Sequence, residues 1–308
     1  MPATALRLAA LGFTAALTVI AFTGPARSAA DLASGGKIVF HSRLKGGNNE
    51  VFAMSPNGSG LVRLTRSAAS DSNPTWSADG RRIAFESNRH ADRRSYGHHD
   101  SDVFVMNANG SGIREVTFSN RFDGDPAWSR QNVIAFESER NGASDVYSIR
   151  PDGSGERRLT VSPAFDGDPA WSPNGRRIAF TSERDGGDRE LYVMNADGSE
   201  QTRLTTSAGF DQNPSWSPNG RLIAFDSMRD GNLEIYVMNP DGTNVRRLTD
   251  HPSIDAIPNW SQDGSRIVFV SERIAKGQRR LFSVAPAGGA ARQLTRGAFD
   301  MSPDWFRG

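Results

Sequence analysis

Six aspartates stand five residues ahead of six tryptophans: Asp71, Asp123, Asp166, Asp211, Asp255 and Asp300 before Trp76, Trp128, Trp171, Trp216, Trp260 and Trp305. Carboxylates gathered in a ring attract a cation, a basic side chain or an amine. Close together they repel one another unless they are solvated or neutralised, so a divalent cation is the one cofactor such a ring suggests. The same residues have a purely local use. An aspartate shortly before Asn-Pro or Asp-Pro makes an Asx-type turn that shapes the entry to a strand.

A second series is an arginine just after the serine that ends strand b: Ser-x-Arg at Arg89, Arg140, Arg184, Arg229 and Arg273, and Ser-Arg at Arg43. An acidic residue follows in five of the six units, at Glu50, Asp102, Asp145, Glu190 and Glu234. The expected arrangement is an arginine–carboxylate pair across or beside a hairpin. The sixth unit has Arg280 instead and carries a locally basic loop, suited to an acidic ligand. One insertion, residues 89–100, holds three of the five histidines. His98, His99 and Asp100 are candidate metal ligands by residue type, but neighbours on a strand point to opposite sides. The alternative is a solvated loop that touches a partner.

The elements that position these residues follow from the repeat. The tryptophans are 52, 43, 45, 44 and 45 residues apart. A period near 45 with four short strands per unit is the pattern of a β-propeller. Strand a holds Pro-x-Trp, strand b Ile-Ala-Phe or a close variant, and strand c Val-Phe or Ile-Tyr. Strand d ends in Leu-Thr or Val-Thr, and Asn-Gly or Asp-Gly turns separate a from b and c from d. The first unit lacks strand a, and the missing strand is at the other end, in residues 300–305. The expected fold is all-β: six four-stranded blades, the ring closed by the C-terminal strand completing the N-terminal blade. Loops d–a and b–c are the longer and more varied ones, so their face is the expected binding face.

The repeat D-x-x-P-x-W-S-P-[DN]-G-x-x-I-A-F-x-S-x-R-D-G, continuing [IL]-Y-V-M-N-x-D-G and R-L-T, resembles that of the TolB family over residues 37–305. The resemblance implies a six-bladed propeller outside the cytoplasm that docks proteins of the Tol–Pal envelope system. The α/β domain that precedes the propeller in that family has no counterpart in residues 31–36. The repeat is also similar to propellers fused to serine peptidases, but the chain contains no Gly-x-Ser-x-Gly.

Residues 1–30 read as a secretory signal peptide: Arg7, an apolar run from Leu8 to Phe22, and small residues Ser28 and Ala30 before the cleavage point. Residues 31–36 are a short lead-in and 37–308 the propeller. The chain has 36 basic and 35 acidic side chains; without Arg7 and Arg27 the net charge is −1. That balance argues against nucleic-acid and membrane-surface binding. With no cysteine, packing and hydrogen bonds alone hold the fold.

The expected function is a non-catalytic, exported monomer. It binds a protein or peptide in the periplasm or extracellular space through its channel-mouth face, and keeps no membrane span after cleavage. The alternative is a propeller hydrolase or lyase that uses a cation at the channel mouth or the insertion of the second blade.

Overall fold

The computed structural model describes residues 37–43, 47–90 and 101–306. The signal peptide, the lead-in, and His98, His99 and Asp100 lie outside the described residues. No helix among those described is long and apolar enough to cross a membrane.

Twenty-four strands form six four-stranded antiparallel sheets in the order a-b-c-d. Asp300–Trp305 is strand a of the first sheet, followed by Ile38–Arg43, Asn49–Met54 and Val62–Arg63. Its register pairs Ile38 with Trp305 and Ser42 with Asp300. The ring is therefore closed by ladder hydrogen bonds between the two ends of the chain. The outermost strand of every blade is only two residues long and carries arginine in each, as in Arg157–Arg158 and Arg246–Arg247. Short, charged edges resist pairing with other chains.

The core lies between blades rather than within them. Val39, Val51, Ala53 and Leu64 of the first blade pack on Trp76, Ile83, Phe85 and Met106 of the second. At the closing joint, Phe40, Phe52 and Trp305 pack on Val268, Val270 and Leu281 of the sixth blade. Alternation explains this: each strand sends apolar side chains to both faces of its sheet, and both faces meet a neighbouring blade. The c–d turns stitch the blades further. At Gly198, with φ of 90°, an added Cβ would lie 2.6 Å from the Leu159 carbonyl oxygen, so this approach needs glycine.

Strand a is bulged identically in all six blades. In the fourth blade Gly167 pairs with Thr181 and Ala170 with Ala179, so Asp168 and Pro169 together oppose Phe180 alone. The first bulge residue is left-handed every time: Asn73, Asp125, Asp168, Asn213, Ile257 and Ser302 have φ between 46° and 54°. Asn and Asp tolerate this region, whereas a β-branched residue such as Ile257 is strained there. The proline that follows has no N–H to leave unpaired. The bulges turn their first residues toward the central channel.

Candidate acidic channel

The aspartates singled out by the repeat are the first residues of strand a, not turn residues before it. All six are buried, at 0–3% exposure. They do not form an open ring at the channel mouth, because each is taken up within its own blade. Asp166 accepts from Ser182 Oγ at 2.6 Å and Arg184 Nη2 at 2.5 Å. Asp123 makes the same contacts with Ser138 and Arg140, at 2.6 and 2.5 Å. Arg89 reaches Asp71 and Arg229 reaches Asp211, each at 2.8 Å, and Arg273 pairs with Asp255. Each of these arginines also lies over two aromatic rings of strands b and c. Arg184 sits 5.2 Å from the Phe180 ring centre and 5.0 Å from that of Tyr192. In the second, third and fourth blades a carboxylate, a hydroxyl, a guanidinium and two rings form one unit.

This corrects the expected pairing. The Ser-x-Arg arginines pair with the aspartate of strand a, not with the acid that opens strand c. Those acids reach outward instead. Glu190 takes Arg203 at 2.8 Å and Glu234 takes Arg247 at 3.0 Å, while Glu50 takes Arg63 at 2.6 Å. Each also accepts the hydroxyl of a strand d threonine: Thr205, Thr249 or Thr65. The first blade departs from the rule. Asp300 has Thr295 and Ser42 as its hydroxyl partners, and Arg43, one residue closer to the serine than the other arginines, turns to Asn49 at 3.4 Å and toward the Phe299 ring.

The carboxylates that line the channel are Asp125 and Asp168, two residues further along strand a at the bulges, and Asp304 of the first blade. Glu86, Glu137 and Asp226 stand beside the bulge acids at one position of strand b. Glu137 and Asp226 are buried, while Glu86, Asp125 and Asp168 keep a little surface on the channel. Oxygens of Asp125, Glu137 and Asp168 lie within 4.8 Å of one another.

Hydrogen bonds within blades, and one across a joint, hold the group. The Asn73 amide donates to Glu86 at 3.0 Å, and the Asn213 amide to Asp226 at 2.9 Å. The strained Ile257 backbone aims its N–H at Asp226, 2.7 Å away. Glycine supplies the room: a Cβ at Gly167 would lie 2.2 Å from Glu137 Oε2, and one at Gly124 would lie 2.7 Å from Glu86 Oε2.

Burial pushes Glu137 up to about 8, helped by the charge of Asp168. Burial likewise brings Asp226 to about 7, with Asp168 adding to it. Asp125 is raised well above the carboxylate range by burial and then by Glu137, Glu86 and Asp168. Near neutral pH the group therefore shares protons, and a bound cation would displace them. Beyond it the channel opens into a cavity of about 620 Å³, walled by the tryptophans and by the prolines that follow the bulges. That volume suits a small ligand or an inserted side chain.

The repeat as first read missed this group because it follows what is constant from blade to blade. The signal was in what varies: Asp-Gly-Asp-Pro in only the third and fourth blades, and an acid at the strand b position where other blades have His41, Thr181 or Val270.

Comparison with known proteins fits the architecture. The family model for the Tricorn protease N-terminal β-propeller domain matches residues 190–302. No curated protein matches the chain. TolB from Acinetobacter baumannii is similar in structure, with a TM-score of 0.76 and 20% identity, over 88% of this chain and 66% of that one. The chain thus spans just under two thirds of that relative. A TolB from Agrobacterium tumefaciens, described as putative, has a TM-score of 0.66 and 23% identity, over 87% of this chain and 89% of that one. The tricorn protease crystal structure gives a TM-score of 0.62 and 16% identity, over 84% of this chain and 26% of that one. In fold, this chain is a TolB-like six-bladed β-propeller.

Proposed function

We propose that the chain is an exported, non-catalytic binding module whose channel takes up a positively charged group. That group is a divalent cation alone, or the ammonium or guanidinium of a protein or peptide partner met outside the cytoplasm. One observation carries the reading: three carboxylates from two neighbouring blades, Asp125, Glu137 and Asp168, come within 4.8 Å of one another in the channel wall. Grouped hard oxygens suit calcium or manganese better than a metal that prefers nitrogen or sulfur. The TolB-like fold supports a docking role, and the apolar leader in residues 1–30 supports export.

The test is thermal unfolding of the chain without residues 1–30, in calcium, in manganese and in EDTA, with ethylammonium and methylguanidinium as organic cations. A cation at a hundredfold excess over its dissociation constant stabilises by about 2.7 kcal/mol. In a domain of this size that raises the midpoint by roughly 5 °C or more. The gain should vanish in a Glu137→Gln, Asp168→Asn double variant. Indifference to all four cations would end the cation reading.

A further inference from the structure

The opposite side of the channel mouth, where the sixth blade meets the first, has the reverse chemistry. A separate cavity of about 380 Å³ lies there, lined by His41, Arg43, Asn49, Glu272, Arg279 and Phe299 among others. Arg43 directly follows Ser42, one residue short of the Ser-x-Arg position of the other blades, and has no carboxylate partner among the described residues. Its side chain is exposed, and its guanidinium lies 5.9 Å from the centre of the Phe299 ring. Arg279 enters from the sixth-blade hairpin. Its backbone N–H is held by the Ala298 carbonyl at 2.9 Å, and its Nε meets Glu272 at 3.2 Å. Glu272 is the one acid in the lining, and it also accepts the Gly277 N–H at 3.0 Å. Two arginines against one engaged carboxylate leave the cavity with a net positive charge.

His41 adds a neutral donor. Its Nδ1 accepts the Asn73 N–H at 3.2 Å, which puts the ring proton on Nε2. Burial, then the charges of Arg43 and Arg279, hold its pKa down at about 4, so the ring stays neutral near pH 7. Val270, Thr181 and the channel acids occupy the His41 position in the other blades.

We propose that this cavity binds a carboxylate, held between the guanidiniums of Arg43 and Arg279, with an apolar or aromatic neighbour of that carboxylate against Phe299. Guanidinium recognises carboxylate through paired N–H donors, and the exposed Phe299 ring gives the ligand body a surface to lie on. The site is independent of the acidic channel and stands or falls separately from it.

The probes are N-acetylphenylalanine, its neutral amide, acetate, and N-acetylaspartic acid α-amide, which keeps its side-chain carboxylate. They are titrated at pH 7 into the chain without residues 1–30 while the side-chain Nε–H signals of Arg43 and Arg279 are followed by NMR. Saturable shifts are expected with N-acetylphenylalanine and none with its amide. Arg43→Gln should weaken binding about tenfold, and Phe299→Ala should remove the advantage of N-acetylphenylalanine over acetate. Tighter binding of N-acetylphenylalanine would point to a chain-terminal carboxylate, and tighter binding of the aspartic acid α-amide to an acidic side chain. Equal binding of acid and amide, full affinity in Arg43→Gln, or no saturable response to any carboxylate would overturn the proposal.

Discussion

Asp123 and Asp125 are two residues apart on one strand, and the fold treats them oppositely. Asp123 is fully buried and meets a hydroxyl and a guanidinium of its own blade. Asp125 stands at a bulge and meets Glu137, Glu86 and Asp168, all of its own sign. Asp166 and Asp168 differ in another way: Asp166 pairs with Ser182 and Arg184, whereas Asp168 is raised by burial and meets Thr181, the Asn213 N–H and the charge of Arg189. Burial is common to all four, and the charge that the fold sets opposite each separates Asp123 from Asp125.

The largest test of this contrast is Asp166→Ala. It strands the guanidinium of Arg184 over its two rings and should cost roughly 3–5 kcal/mol, read by urea unfolding. A cost under 1 kcal/mol would mean the ring aspartates are not structural. Next is Gly167→Ala, which sets a methyl against Glu137 Oε2 and the Phe165 ring. Overpacking of this kind costs about 1–3 kcal/mol, and the displaced Glu137 should also weaken cation-induced stabilisation.

Smaller again is a pH effect. Glu137 titrates near 8 when folded, above its unfolded value, so the folded state holds its proton longer. Its contribution to stability is complete below about pH 4.5 and is lost as the pH rises through 8. Wild type minus Glu137→Gln should therefore fall steadily between pH 5 and pH 8. A flat difference would place the Glu137 proton elsewhere. The smallest effect is expected for Arg43→Gln. An exposed arginine without a carboxylate partner among the described residues should change stability by less than about 0.5 kcal/mol, whereas Arg184→Gln should cost several times more.

Much of the architecture was legible in the chain. Trp76 to Trp305 announce the period, the Asn-Gly and Asp-Gly turns divide the strands, and a missing strand at one end with a spare strand at the other predicts the closure that pairs Ile38 with Trp305. The candidate site was legible only in part. The repeat drew attention to Asp123 and Asp166, which pair within their own blades, and not to Asp125 and Asp168 two residues on, and it matched the arginines to the wrong acids. Nothing in a linear pattern says which of two nearby aspartates a bulge will turn inward.

What the sequence determined by itself is local or strictly periodic: strand alternation, turn chemistry and the number of units, each set by interactions within some 45 residues. Tertiary structure alone decided which charges meet. Asp125, Glu137 and Asp168 come from adjoining blades, and His41, Arg43 and Arg279 from a joint that unites the first strands with the last hairpin. The sign of each side of the channel depends on those encounters, because electrostatic interactions are set by distance in space and not by distance along the chain.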